Sequence, residues 1–446
     1  MSELIISVSG LRGIVGETLT PDVASRFVAA FCAQITDGPI IVGRDGRSSG
    51  PMMLAAITAA LNACGRDVVN ADVAATPTIG VLVKHLGAAG AVQISASHNP
   101  PPYNGIKLFG SDGRVLDAIT GGKIRDGYFA GEAAWCEFDK IGNSTAEADP
   151  HQPHLEKVLA TVDVAKIKAA GHRVLIDSNH GAGSLLGKRL LEALGCEVVA
   201  VGDTPDGAFA HVPEPTADNL TGIAAMVRKQ NCAVGFCQDP DADRLALVDG
   251  DGRYVGEEYT LALCVQRALS QPATCGTIVV NGATSGMSER LAVAAGVKSM
   301  RSSVGEANVA DMMIANDAKY GGEGNGGPID PRVGYVRDSF VGMAQVLELM
   351  TDTGQTLAQL CDALPKLHIH KSKASVSADL LPDLFQKLQS IHSDASATTG
   401  DGLRLAWEDK WLLVRGSNTE PIVRMIAEAE SEAEAVALCD SAAKLL

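Results

Sequence analysis

Short apolar runs alternate with longer stretches of helical periodicity from the N-terminus to about residue 365. "PIIVGRD" (39–45) predicts a buried strand that ends in a polar loop, and "GPMMLAAITAALNACG" (50–65) predicts a helix closed by Gly65. The rhythm returns in "HRVLIDSNHGAGS" (172–184), which predicts a strand and then a helix through Leu194, followed by a short strand in "CEVVAVG". It returns again at "GTIVVNGATSG" (276–286). Strands alternating with helices of this length predict parallel sheets with crossover helices, an α/β architecture. Loops at the carboxyl ends of such strands are where ligands bind, so several can converge on one cleft.

Polar and Pro-containing breaks near 142–153, 250–256 and 364–372 divide the chain into four expected domains: 1–148, 149–253, 254–366 and 367–446. The first three are expected to be similar α/β units with mixed or parallel sheets. The last lacks the apolar rhythm and is expected to be a smaller α+β domain. No crisp internal repeat is visible, although each of the first three units carries a Gly- or Asp-rich loop after an apolar run.

Composition narrows the function. The net charge of −16 over 446 residues, with no basic stretch to offset it, argues against nucleic-acid or membrane-surface binding. A small anionic substrate needs only a few converging cations and stays open. The N-terminus "MSELIISVSGLRGIVGE" has no basic n-region and no long apolar core, which predicts no signal peptide and a cytoplasmic chain. Ten cysteines are scattered without a CxxC pair, as expected for reduced, buried thiols.

Four loops carry the chemistry. In "ISASHNPPPYNGIKLFG" (94–110), Ser97 stands beside His98. Neighbours in an extended segment point to opposite faces, which places His98 poorly as a base for Ser97, and the prolines forbid the strand–elbow–helix of a hydrolase nucleophile. A capped turn, or a hydroxyl held rigidly near Lys107, which is expected in a Gly-hinged loop ("YNGIKLFG"), for phosphate chemistry, both remain open. In "CQDPDADRLALVD" (237–249), Asp239, Asp241 and Asp243 alternate, so in an extended loop their carboxylates can face one way and bind a hard cation. No Gly or Glu follows at EF-hand spacing, which favours Mg²⁺ over Ca²⁺. The alternative is a solvated acidic turn neutralised by Arg244. In "YGGEGNGGPID" (320–330), Glu323 and Asn325 among glycines suit sugar hydroxyls, or the segment is a flexible turn. In "VRGSNTEPIVRMIAEAE" (414–430), Arg415, Ser417, Asn418, Thr419 and Arg424 crowd together before a helix expected to start near Pro421. They form either a phosphate cradle at that helix N-terminus or a plain helix cap with surface arginines.

In this order the four loops resemble the α-D-phosphohexomutase family of phosphoglucomutases, phosphomannomutases and phosphoglucosamine mutases. "SASHNP" is similar to its phosphoserine loop, "DPDADR" to its metal loop, "GEGNG" to its sugar loop and "RGSNTEP…R" to its phosphate loop. "GLRGIVGE" and "VGRDGRSSG" also fit, so the resemblance spans nearly the whole chain. It implies a heart-shaped, four-domain fold around a central cleft. It implies that Ser97 carries the phosphoryl group, that Mg²⁺ sits between that phosphate and Asp239, Asp241 and Asp243, and that Lys107 is the general acid/base. Arg12 and His98 would lie near the phosphoserine, and Arg244 near the substrate. Glu323 and Asn325 would bind sugar hydroxyls, and the C-terminal loop the unreacting phosphate. The implied reaction exchanges hexose 1- and 6-phosphates through a hexose 1,6-bisphosphate, in a monomer or homodimer. Glucosamine phosphate is the first expected substrate, and mannose or glucose phosphate the second. A sugar-phosphate sensor and a metal-dependent phosphatase are the readings of other classes.

The chain departs from the family pattern in places. Gly327 stands where many members carry His, and Asn325 where Ser is common. Glu306 and Asn308 of "SVGEANV" (303–309) occupy a region that is basic in several members. Gly416 and Asn418 replace the usual Pro and Gly.

Overall fold

The computed structural model describes residues 4–376, 380–416 and 422–446. The apolar runs become the strands of four sheets. The first contains β1 (Ile5–Ser7), β2 (Gly10–Ile14), β3 (Ile40–Arg44), β4 (Val68–Val73), β5 (Gly90–Ile94), β6 (Tyr103–Gly110) and β7 (Ser144–Ala146), in the order β1-β2-β6-β5-β3-β4-β7. The second contains β8 (Arg173–Asp177), β9 (Glu197–Val201), β10 (Val234–Gln238) and β11 (Leu245–Asp249), in the order β11-β10-β8-β9. The third contains β12 (Ile278–Asn281), β13 (Ser299–Ser302), β14 (Tyr320–Glu323) and β15 (Gly327–Ile329), in the order β13-β12-β14-β15. The fourth contains β16 (His368–Ser375), β17 (Ser396–Gly400), β18 (Gly402–Ala406), β19 (Trp411–Gly416) and β20 (Ile422–Ala429), ordered β16-β20-β19-β18-β17 and wholly antiparallel.

The first three sheets are mixed, and they share one plan that the sequence hides. In each, a first strand pairs in parallel with a second and a third, and a hairpin then carries the chain from the third to an antiparallel fourth. The sets are β3, β4, β5, β6, then β8, β9, β10, β11, then β12, β13, β14, β15. Helices Gly50–Ala63, Gly183–Ala193 and Met287–Ala294 follow the first strands, and Thr76–Leu86, Thr221–Lys229 and Glu306–Ala315 follow the second. The third-to-fourth hairpin holds Ser97 in one unit, the three aspartates in the next and Asn325 in the third. The candidate loops are therefore the same loop of a threefold topological repeat.

Packing joins the units. Residues of the second and third units share one continuous apolar core, around Leu186, Phe236, Leu261 and Phe340. Helix Ser339–Thr353 is apolar nearly all round and is buried along most of its length, as a helix between two layers must be. The first and last units have cores of their own. All ten cysteines are free, and all but Cys275 are buried or half-buried. Among the described residues no helix is long and apolar enough to cross a membrane.

Two local expectations fail. Lys107 lies on strand β6, not in a hinged loop. The helix expected near Pro421 is strand β20: Val423, Met425 and Ala427 are buried while Arg424 is exposed, a period of two that pairs with both β16 and β19. Its Ala and Glu residues favour helix locally, and the tertiary pairing overrides them.

Candidate active site

Strand β5 delivers the chain to Ser95, and the backbone then turns sharply. Ser97 is not extended but left-handed, with φ +49°. This costs a residue with a Cβ on the order of 1 kcal/mol and implies that its surroundings hold it. The Ser97 amide donates to Ser95 Oγ (2.8 Å), whose hydroxyl donates to the buried carboxylate of Asp45 (2.7 Å). Asp45 in turn accepts from Arg47 Nε (3.1 Å). The Arg47 guanidinium is buried and reaches four carbonyls of the loop: Ser97 (2.7 Å), Asn99 (2.6 Å), Pro100 (2.9 Å) and Tyr103 (2.9 Å). The ring of Phe209, from the second unit, lies 5.1 Å from the same guanidinium.

Ser97 Oγ donates to Asp239 Oδ2 at 2.7 Å, across 142 residues of sequence. The turn also brings His98 Nδ1 to 3.3 Å from Oγ, closer than an extended segment would allow, yet Asp239 is the shorter partner. Burial, with the nearby cations Arg244 and Arg12, pushes the His98 imidazole down to about 3, so it is neutral at neutral pH. Arg12 reaches the same loop, with Nη1 donating to Asn99 Oδ1 at 2.7 Å.

Asp239, Asp241 and Asp243 are fully buried, which rules out a solvated turn, and they offer oxygens within 4.8 Å of one another. A turn gathers them rather than extended alternation: the Ala242 amide donates to the Asp239 carbonyl (2.9 Å) and Ala242 has φ +56°. Lys107 Nζ donates to Asp241 Oδ2 (2.7 Å) and Asp243 Oδ2 (2.8 Å), and Thr76 Oγ1 donates to Asp241 Oδ2 (2.6 Å). Burial and then the charges of Asp241 and Asp243 push Asp239 well above the usual carboxylate range. Burial acts on Asp241 in the same sense, but Lys107 and Thr76 outweigh it and hold that carboxyl low. On Asp243, Arg337 and Lys107 outweigh burial. Lys107 is raised, since the two carboxylates exceed the effect of its own burial. The Oδ1 atoms of Asp241 and Asp243 are buried and have no hydrogen-bond partner among the described residues. Two orphaned anionic oxygens beside a third carboxylate fit a hard divalent cation.

Arg244 donates its amide to Asp239 Oδ1 (3.1 Å), while its Nε lies 3.8 Å from Asp243 Oδ1 with no hydrogen-bond partner among the described residues. From the third unit, Glu323 Oε1 accepts from Asn281 Nδ2 (2.7 Å) and the Gly305 amide (3.1 Å). Its Oε2 accepts from Arg337 Nη1 (2.8 Å), and Arg337 Nη2 donates to Asp243 Oδ2 (2.6 Å). Asn325 Nδ2 lies 3.4 Å from Glu323 Oε2, and Asn325 Oδ1 is buried without a hydrogen-bond partner among the described residues. Glu306 accepts from the Arg337 amide (2.6 Å), and Asn308 Nδ2 donates to the Val304 carbonyl (3.0 Å).

In the C-terminal unit, Ser417, Asn418 and Thr419 lie outside the described residues. The register sets Arg415 opposite Arg424, and Arg424 opposite Lys373, so three cations form one row across β19, β20 and β16. Like charges directly opposed in a sheet repel, and an anion relieves them. Arg415 Nε donates to Asp401 Oδ1 (2.9 Å), and Asp401 Oδ2 accepts from the Val304 amide (2.7 Å), which ties this unit to the third.

The structure thus gathers Ser97, His98, Lys107, Arg12, the three aspartates and Arg244, and links them through Arg337 to Glu323 and Asn325. Sequence reasoning missed Asp45, Arg47, Thr76, Arg337 and Lys373. Only Asp45 and Arg47 had a signal, as the polar end of "VGRDGRSSG" after β3.

Models of four consecutive phosphoglucomutase/phosphomannomutase domains match the chain: alpha/beta/alpha domains I, II and III at residues 4–134, 152–252 and 257–368, and the C-terminal domain at 375–445. A phosphoglucomutase/phosphomannomutase from Thermococcus kodakarensis is 36% identical over 98% of this chain and 97% of its own length. A phosphoglucosamine/phosphogalactosamine mutase from Sulfurisphaera tokodaii is 32% identical, with 96% of each chain covered. The crystal structure of a phosphoglucomutase/phosphomannomutase family protein from Burkholderia thailandensis superposes with a TM-score of 0.82 at 27% identity, covering 99% of this chain and 98% of that one.

Proposed function

The chain belongs to the phosphoglucomutase/phosphomannomutase family, and from that premise we propose that it interconverts hexose 1- and 6-phosphates through a phosphorylated Ser97, with glucosamine phosphate as its sugar and mannose or glucose phosphate as the alternative. The observation that carries this reading is the 2.7 Å contact between Ser97 Oγ, on its strained and clamped turn, and Asp239 of a buried carboxylate cluster. A group that repeatedly gains and loses a phosphoryl must keep its position in both states, and the Arg47 clamp provides that.

In the proposed reaction the free hydroxyl of a hexose monophosphate attacks the phosphorus on Ser97. The P–Oγ bond breaks as the new P–O bond forms, giving a hexose 1,6-bisphosphate. In the proposed proton balance the Lys107 ammonium, held over Asp241 and Asp243, gives a proton to Ser97 Oγ as the P–Oγ bond breaks, and the proton lost by the sugar hydroxyl restores the ammonium. The bisphosphate then reorients, and its other phosphate returns to Ser97 by the reverse steps. Asp239, Asp241 and Asp243 would hold Mg²⁺, which when bound supplies positive charge against the transferring phosphoryl oxygens. Arg12, Arg244 and neutral His98 are assigned to orienting that phosphoryl group. Asn325, through its open Oδ1, and Glu323 are assigned to the sugar hydroxyls. Arg415, Ser417, Asn418, Thr419 and Arg424 are assigned to the phosphate that does not react. The amino-sugar preference is supported by the name of the Sulfurisphaera tokodaii relative.

A panel of glucosamine, glucose, mannose and N-acetylglucosamine phosphates, assayed with Mg²⁺ and hexose 1,6-bisphosphate, tests the reading. Bisphosphate-stimulated exchange of 1- and 6-phosphates, fastest with glucosamine phosphate, is expected. Binding without turnover would make the chain a sensor, and release of inorganic phosphate would make it a phosphatase.

A further inference from the structure

Gly327 has no need of glycine's conformational freedom, since its φ is outside the positive range. A Cβ built there meets Arg337 Cδ at 2.4 Å, Cγ at 2.7 Å and Cβ at 2.9 Å, and these are its three nearest neighbours. The contact reaches the stem of the arginine, so a small swing of the guanidinium cannot relieve it. The guanidinium is buried and joins two loops that come from different units. It donates to Asp243 among the clustered aspartates (2.6 Å) and to Glu323 at the end of β14 (2.8 Å). Its backbone is fixed as well, through the Arg337 amide on Glu306 (2.6 Å) and the Asp338 amide on the Pro328 carbonyl (2.9 Å).

We propose that Arg337, seated in the space that Gly327 leaves, is a positioning residue that locks the Asp243 carboxylate to the sugar loop and so sets where the sugar lies relative to the phosphoryl-transfer site. The inference rests on the phosphohexomutase reading. It explains two departures from the family pattern together, at Gly327 and Glu306, and the setting of Glu323 besides. Gly327 is small because Arg337 passes over it. Glu306 is acidic because it anchors Arg337. Glu323 is oriented by Arg337 from one side and by Asn281 from the other. Since Arg337 and Lys107 both occupy Asp243 Oδ2, the Oδ1 atom alone is left for a cation. Arg337 reaches Glu323 and Asp243 with two different nitrogens of one planar fork, which fixes their relative placement in a way that the point charge of a lysine does not.

The test combines Arg337→Lys, Arg337→Ala, Gly327→Ala and the double variant Arg337→Ala/Gly327→Ala, with melting temperature used to confirm folding. For each, kcat and KM are measured with hexose phosphate, and the Mg²⁺ Kd is measured by calorimetry without substrate. Arg337→Lys is expected to keep the fold, lower kcat at least 30-fold and weaken Mg²⁺ binding at least 5-fold. Gly327→Ala is expected to lower kcat at least 10-fold in the parent but less than 2-fold in the Arg337→Ala background, because the 2.4 and 2.7 Å contacts with Cδ and Cγ are then gone and only the milder 2.9 Å contact with Cβ remains. A parental kcat and Mg²⁺ Kd in Arg337→Lys, or additive effects in the double variant, overturns the proposal. Ser97→Ala serves as the separate control. If it retains turnover the phosphoserine reading fails, whereas the calorimetric and additivity results judge Arg337 alone.

Discussion

Arg47→Ala is the sharpest perturbation of the Ser97 loop that leaves Ser97, the aspartates and Lys107 untouched. The substitution strands the Asp45 carboxylate, which is 0% exposed, and frees the four loop carbonyls that the guanidinium holds. Breaking a buried pair by removing one partner costs roughly 3–5 kcal/mol. Water entering the vacated volume rehydrates the carbonyls, so they add little to that sum. At roughly 2–4 °C per kcal/mol for a domain of this size, the first unit's calorimetric transition falls by about 6–20 °C. Ser97 then no longer has the support that offsets its left-handed backbone, and kcat falls by at least two orders of magnitude at temperatures where the variant is still folded. Adding Asp45→Asn removes the stranded charge, so the double variant regains part of the melting temperature but not the turnover. An Arg47→Ala protein with parental melting temperature and kcat refutes the clamp. Parental kcat with a lowered melting temperature refutes its link to catalysis.

Two further predictions concern other parts of the molecule. Burial pushes the Glu258 carboxyl up to about 8, only partly offset by Lys371 and the Ser285 amide. Because the folded value lies above the unfolded one, the native state binds more protons in between, so stability is whole below about pH 4.5 and is lost as pH rises toward 8, by at most ~1.4 kcal/mol per pH unit. Glu258→Gln removes that share, so its urea midpoint declines less between pH 5 and 8 than the parent's; parallel declines count against the assignment. Arg415→Ala removes charge-assisted bonds worth ~1.5–3 kcal/mol, which raises KM for the hexose phosphate roughly 10- to 150-fold with a smaller change in kcat. An unchanged KM refutes a phosphate-binding role for the row Arg415, Arg424 and Lys373.

What the sequence could reveal depended on whether the signal was local. Ser97 and the three aspartates were legible because their chemistry lies within a few consecutive residues, although the mechanism expected for their geometry was wrong. Both loops use a left-handed residue, Ser97 or Ala242, where extended alternation was expected. The threefold repeat was invisible because the units keep strand order and hairpin position while their loops carry different side chains. Thr76 contacts Asp241 from 165 residues away, and Arg337 contacts Asp243 from 94, so no window of sequence holds both partners. The segment after Pro421 misled because its helix formers belong to a strand paired on both sides, which only the fold decides. Gly327 was visible as a departure but could not be explained until Arg337 was seen lying against it.

Transfer of phosphate through Ser97 is the central claim, and a label-chase measurement tests it most directly. The protein is incubated with Mg²⁺ and hexose 1,6-bisphosphate carrying ³²P, desalted, and divided. One portion is digested and its labelled peptide mapped; the other is chased with unlabelled hexose 6-phosphate. The account predicts label on Ser97 alone, no label in Ser97→Ala, and quantitative return of the label to sugar phosphate during the chase. Label on another residue, or phosphate exchange between sugars while Ser97 stays unlabelled, contradicts it.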